Sequence, residues 1–289
     1  MCHPPTSSCV LLTRCSRGSI GDALAREFHA KGLTVFAASR TLESMEGLCA
    51  LGIRTLVLDV TDIDAIRRAK AEIAEATGGT LDILVNNAGQ TYVRTAADYD
   101  MARVRALFEA NLFGAMAMVQ EFLPLLIASG DAVIINNGSI AGFLASPFRS
   151  AYNASKAALH AYSDTLRIEL APFNIRVVTL VTGGVKSNIS QPASLPPDSL
   201  YAPMAALFQE SRNRVESDEA RMATDDYARA VVAEALCARP RPRLWAGSMA
   251  WWIWLGDALL PRWAWDLLLT KIFGLDVFAK MLATGRKNV

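Results

Sequence analysis

Short runs of near-continuous apolar residues alternate along the chain with stretches where apolar positions recur every three or four residues. Cys9–Thr13 (CVLLT) reads as a buried strand, and Ile20–Lys31 as a helix with Ala23, Leu24 and Phe28 on one face. Gly32 is a natural stop for that helix, and Leu33–Ala38 is the next strand. Thr55–Leu58, Ile83–Val85, Val133–Ile135 and Val177–Val181 are further strands rich in Val, Ile and Leu. Helical patterns fill the intervals at Ile63–Thr77, Met101–Ser129 and Ser150–Pro172. Between Gly183 and Ala223 the pattern is loop plus one helix, Tyr201–Val215.

Strands that are apolar throughout and joined by helices predict an α/β protein whose parallel sheet is covered on both faces. Right-handed crossovers make that sheet doubly wound and Rossmann-like, with ligands bound beyond the carboxyl ends of its strands. A chain of 289 residues accommodates one such unit, and 52% hydrophobic with 20% charged residues excludes a disordered chain. Lys and Arg (29) balance Asp and Glu (28), so no global field favours nucleic acid. Five cysteines without a CxxC pair and three scattered histidines predict neither a disulfide framework nor a metal site, and fit a reducing compartment. The opening MCHPPTSSC lacks the charged and apolar regions of a signal peptide.

The last part of the chain differs. All six tryptophans (Trp245, Trp251, Trp252, Trp254, Trp263, Trp265) follow the Pro-rich segment Ala238–Arg243. The expected organisation is therefore a sheet domain over 1–240, with a substrate loop at about 183–223, and an amphipathic extension over 241–289. Its apolar runs are shorter than the roughly 20 residues a transmembrane helix needs, and Asp257, Arg262, Asp266 and Lys271 interrupt them. Tryptophan favours the headgroup boundary, so residues 245–272 are expected to lie as helices in a membrane interface. Alternatively, the rings cover the substrate pocket or a dimer face.

Candidate chemistry sits where strands end. The turn Thr13-Arg14-Cys15-Ser16-Arg17-Gly18-Ser19-Ile20-Gly21 leads from the first strand into a helix. Its small residues let backbone N–H groups approach a pyrophosphate at the helix N-terminus, although alone such a turn is equally a structural one. Arg40 closes the second strand, where a dinucleotide's adenosine ribose would lie. An acidic residue there suits a free 2′-hydroxyl; an arginine, with Arg17 as a second charge, suits a 2′-phosphate and hence NADP. Asp59-Val60 follows the third strand and would flank the adenine. Asn86-Asn87-Ala88-Gly89 follows the fourth, where small residues let a ring pack on the backbone. Tyr152 and Lys156, four residues apart, share one helix face. A free phenol, with a pKa near ~10, is a poor proton donor at neutral pH, and a neighbouring ammonium is expected to lower that value. Ser139 ends the fifth strand and is placed to hydrogen-bond a substrate carbonyl, and Asn111 would hold a water for proton relay.

In this order and at these separations, the Gly-containing turn, Asn-Asn-Ala-Gly, Asn111, Ser139 and Tyr152-x-x-x-Lys156 resemble the short-chain dehydrogenase/reductase family over roughly residues 9–240. The resemblance implies that Asn111, Ser139, Tyr152 and Lys156 form the catalytic tetrad. Tyr152 would donate the proton, Ser139 would polarise the carbonyl, and Lys156 would also bind the nicotinamide ribose. Thr13, Ser16, Arg17, Gly18, Ile20, Gly21, Arg40, Asp59, Val60 and Asn86–Gly89 would contact NADPH, as would Val185 and Ser187 near the carboxamide. Val181–Asn188, Leu195–Pro203 and the Trp-rich tail look like a fungal subgroup of NADPH-dependent 1-acyldihydroxyacetone-phosphate reductases and related secondary-metabolite ketoreductases. Either reading of the Trp-rich tail suits a lipophilic carbonyl substrate, and the expected location is the cytoplasmic side, peripheral on the endoplasmic reticulum or a lipid droplet; the likeness to the wider family implies a homodimer through the long helices Met101–Ser129 and Ser150–Pro172. Lys186, Arg94 and Arg149 are candidate contacts for an anionic headgroup. One departure stands out: the family carries Gly where this chain has Arg14. If that turn needs positive φ, a long side chain strains it and intrudes on the pyrophosphate. The alternative is then a non-redox isomerisation, dehydration or cyclisation on the same fold.

Overall fold

A computed structural model describes residues 8–189, 192–216 and 221–285; Cys2 and His3 lie outside them. The chain runs β1 (Cys9–Thr13), α1 (Ile20–Ala30), β2 (Thr34–Ser39), α2 (Glu46–Cys49), β3 (Arg54–Val57), α3 (Ile63–Thr77) and β4 (Ile83–Asn86). Next come α4 (Met101–Phe108), α5 (Gly114–Ser129), β5 (Ala132–Asn137), α6 (Ser150–Leu170) and β6 (Ile175–Thr182). Then follow α7 (Ala205–Glu216), α8 (Thr224–Ala235), β7 (Arg243–Ala246), α9 (Ala250–Leu259), α10 (Arg262–Ile272) and α11 (Leu275–Gly285). Among the described residues, seven strands form one sheet in the order β3-β2-β1-β4-β5-β6-β7, and all neighbours are parallel.

Alternate side chains leave a strand on opposite faces. Val10 and Leu12 pack against Leu24 and Phe28 of α1 and Val231 of α8. Leu11 and Leu84 face the other way, onto Ile66 and Ile73 of α3, Phe122 of α5 and Leu166 of α6. Both faces are dry, which is why the strands read as apolar throughout. Ser19 caps α1 by accepting from the Asp22 N–H, Asp62 caps α3, and Gly78 ends α3 at φ 69°.

Three expectations are corrected. The helix expected over Met101–Ser129 is interrupted by a π-helical turn at Glu109–Phe113, which turns Asn111 inward. The helix expected from Tyr201 begins at Ala205, after a 3₁₀ turn that contains Pro203. The break expected at 240 falls short of the sheet's edge, because Arg243–Ala246 pair with Thr179–Thr182 of β6. Only then do α9, α10 and α11 fold back, burying Leu269, Phe273 and Phe278 with Phe148, Met204 and Phe208.

Candidate active site

Strand order reverses between β1 and β4, which opens a crevice at their carboxyl ends. Its two sides are tied together by the Thr13 hydroxyl, which accepts from the Asn87 and Ala88 N–H groups at 2.9 Å each. Asn87 Nδ2 returns bonds to the carbonyls of Thr13 (3.0 Å) and Arg14 (3.2 Å). Gly21 is required by this closeness, since a Cβ there would sit 2.4 Å from the Arg14 carbonyl oxygen. Arg14 takes φ +57°, the left-handed region that glycine favours. Ser19 Oγ donates to the same Arg14 carbonyl at 3.0 Å, and Arg14 Nη1 donates across the crevice to the Gly89 carbonyl at 2.6 Å.

The crevice continues into a cavity of about 470 Å³. One side is lined by Arg14, Ile20, Asn87 and Gly89; Ser139, Tyr152 and Lys156 line the next, and Val185 and Ser187 the third. Ile253, Leu269, Ile272 and Phe273 from the C-terminal helices add an apolar wall. The loop after β6 approaches the first turn, where Asn188 Nδ2 donates to the Arg17 carbonyl at 3.1 Å. Of the three headgroup candidates only Arg149 lines this cavity; Arg94 donates to Ser194 O at 2.7 Å and Lys186 is exposed.

The reactive groups converge from three elements. Tyr152 and Lys156 stand one turn apart on α6, and both line the cavity with Ser139, which follows the end of β5. Lys156 Nζ donates to the Asn137 carbonyl at 2.7 Å and lies 6.0 Å from the centre of the Tyr152 ring. The expectation that Lys156 lowers the phenol's pKa is corrected here. Burial pushes Tyr152 above its ordinary value, opposed by the neighbouring Ser139 hydroxyl and by the charges of Arg149 and Arg14. Burial, with the charge of Arg14, pulls Lys156 down to about 8.

Several expected contacts stand elsewhere. Asn86 donates at 2.9 Å to Asn136, which donates at 2.8 Å to Ser163, all buried beneath the crevice. Both amide hydrogens of Asn111 are committed, to the Gln90 carbonyl and to Ser155 Oγ at 3.0 Å each, while its Oδ1 accepts from the Gln90 N–H at 2.7 Å. It braces the loop after β4 against α6 rather than reaching the cavity. Thr13 and Val60 are buried, and Asp59 accepts from the Thr61 N–H and hydroxyl. Arg17, Gly18 and Arg40 are exposed at the crevice's outer end; Ser16 and Ala88 are half-buried and outside the lining.

Two contributors escaped the sequence reading. Asn137 accepts from the Thr182 hydroxyl and donates to Asn87 Oδ1, at 2.7 Å each, joining the crevice wall to the residue whose carbonyl holds Lys156. His160 Nε2 accepts from the Ser139 N–H at 3.2 Å. Burial drives the His160 pKa down to about 4, so the ring is neutral and able to accept. Its signal was present, since His160 continues the four-residue spacing of Tyr152 and Lys156.

This donor set suits an anionic dinucleotide. The N-terminus of α1 faces the crevice and Arg14 reaches into it. Among the described residues no carboxylate pairs with Arg14, and the cation acting on it is Arg40. A metal has no comparable seat: no cluster of ligating side chains occurs among the described residues.

The family described as short chain dehydrogenase matches residues 8–197. A protein named Short-chain dehydrogenase RED1 of Pyricularia oryzae is 41% identical over 94% of this chain and 97% of its own length. The NADPH-dependent 1-acyldihydroxyacetone phosphate reductase of Schizosaccharomyces pombe is 44% identical over 72% of each chain. A solved short chain dehydrogenase from Burkholderia cenocepacia, in complex with NADP, superposes with a TM-score of 0.71 at 25% identity, covering 92% of this chain and 99% of that one.

Proposed function

The chain belongs to the short-chain dehydrogenase family of oxidoreductases, and from that premise we propose that it reduces the ketone or aldehyde of a lipophilic substrate with NADPH. The observation that carries this reading is that Ser139, Tyr152 and Lys156 line one cavity that opens onto the β1–α1 turn. Arg40 and Arg17 at the crevice's outer end support the 2′-phosphorylated cofactor. So do the NADPH dependence in the name of the fission-yeast relative and the NADP in the bacterial neighbour. The substrate is an acyl-dihydroxyacetone-phosphate-like lipid or a secondary-metabolite intermediate, as the apolar wall of Ile253, Leu269, Ile272 and Phe273 favours.

The nicotinamide, when bound, supplies the hydride. The β1–α1 turn and Asn87–Gly89 would hold the cofactor, with Val185 and Ser187 at the cavity end. Ser139 Oγ and the Tyr152 hydroxyl hydrogen-bond the substrate carbonyl oxygen and polarise it. Tyr152 gives its proton to that oxygen as negative charge develops there. Lys156, held by the Asn137 carbonyl one turn from Tyr152, would bind the nicotinamide ribose.

We further propose that the protein sits on a membrane surface, at the cytoplasmic side of the endoplasmic reticulum or a lipid droplet. Supporting this, Trp251, Trp252, Trp254 and Trp263 are 54%, 61%, 45% and 65% exposed, and Leu259, Leu260, Leu267 and Leu268 accompany them. The helices' inner residues wall the cavity while their outer rings face away. The two readings of the tail are thus the two sides of one element.

A second reading, a non-redox conversion, is favoured by one observation: the Arg14 side chain lines the cavity. Presenting NADPH with a panel of acyl-dihydroxyacetone phosphates and aromatic polyketide ketones separates the two. Oxidation of NADPH with products two mass units heavier is expected. Products of unchanged mass, formed equally without NADPH, would establish the second reading.

A further inference from the structure

Arg14 is held in a costly conformation. Its φ of +57° suits glycine, and a network fixes it there: Ser19 Oγ and Asn87 Nδ2 both donate to its carbonyl. This places a guanidinium inside the crevice, half-buried, with Gly89 O at 2.6 Å as its hydrogen-bond acceptor. Apart from the Tyr152 phenol, the charges acting around it are cationic. Arg40 lies on the outer side, and Lys156 feels Arg14 from the inner side. A cation withdrawn from water among other cations, without a carboxylate, is arranged for an anion that arrives from solution. A carbonyl takes one N–H of the guanidinium fork and leaves the rest to be turned toward a ligand.

We propose that Arg14 is a direct ligand of the cofactor's diphosphate, parked on the Gly89 carbonyl in the free protein. The inference rests on the reading that the crevice takes NADPH. It adds a side-chain clamp where the family's glycine contributes only backbone. The strain at Arg14 is then retained for binding, and the guanidinium lies between the outer cations and Lys156, where the diphosphate bridges the cofactor's two halves.

Calorimetric titration of the intact protein tests this without turnover. The probes are 2′-phospho-ADP-ribose, which carries the diphosphate, and adenosine 2′-monophosphate, which lacks it. Arg14→Gly and Arg14→Gln are both expected to weaken 2′-phospho-ADP-ribose by about tenfold or more, with adenosine 2′-monophosphate unchanged. Arg14→Gln keeps a side chain at the strained position, and thermal melts serve as the control that both variants fold. Equal or tighter binding of 2′-phospho-ADP-ribose in the variants would make Arg14 an obstruction and overturn the proposal. An equal loss for both probes would make it a structural residue and overturn it too. If the wild type binds neither probe, the cofactor reading itself fails, and the clamp with it.

Discussion

Lys156 holds its charge where only 4% of its surface is exposed, and the protein bears a cost for that. Burial and Arg14 lower its pKa from 10.5 to about 8. Below pH 8 both the folded and the unfolded chain hold the proton, and the full penalty, about 3 kcal/mol, is present. Between pH 8 and 10.5 the folded chain has released the proton and the unfolded chain has not, so stability rises with pH through that window. Lys156→Met is therefore expected to melt above wild type at pH 7 and to lose that advantage by pH 10.5; an advantage independent of pH would contradict the assignment. Arg14 has a cost of a different kind. Arg14→Gly relieves the positive φ and is expected to melt at or above wild type even as it binds 2′-phospho-ADP-ribose more weakly. A clear fall in melting temperature would mean that the Gly89 bond stabilises the fold more than the backbone conformation costs.

At the scale of elements, the contact between the end of β5 and α6 sets the reactive geometry. His160 fits between Gly138 and Gly142, where a Cβ would lie 2.2 Å from Nε2 and 2.5 Å from Cε1 respectively. Gly138→Ala should destabilise by about 2–3 kcal/mol through overpacking, read by urea unfolding; a neutral result would show that α6 shifts freely. His160 also sets an acid limit. Its folded pKa of about 4 lies below the usual 6.5, so the unfolded chain takes up the proton first. Stability complete above pH 6.5 is lost as pH falls toward 4, and His160→Gln should flatten that slope. Much of this layer was legible in the sequence. Apolar strands such as Cys9–Thr13, and the spacing of Tyr152 and Lys156, announce themselves because one face or one strand end decides the pattern. Helix α8 and strand β7 did not. The acidic opening of Thr224–Ala235 masks the positions that pack on α1, and β7 is four residues directly after a Pro-rich segment. Asn86 and Asn111 carry the expected residue types but face inward, because sequence does not say which side of a strand end or π-helical turn meets the cavity.

For the molecule as a whole, the sheet delivers the reactive groups and the last three helices decide what reaches them. Truncation near residue 240 would remove β7 and the apolar wall together, so it cannot isolate the outer tryptophans. Replacing Trp251, Trp252 and Trp263 with Ser leaves Ile253, Leu269 and Phe273 in place. The triple variant is expected to lose flotation with phosphatidylcholine vesicles and to keep turnover of a water-soluble ketone. Undiminished flotation would assign those rings to a protein contact instead. The central claim is hydride transfer to a carbonyl protonated by Tyr152. Its most direct test uses NADPH deuterated at C4 of the nicotinamide, with the product alcohol analysed by mass spectrometry for wild type and Tyr152→Phe. The account predicts deuterium on the carbinol carbon for wild type and product formation reduced to near background in the variant. Product without deuterium, or full activity in Tyr152→Phe, would contradict it.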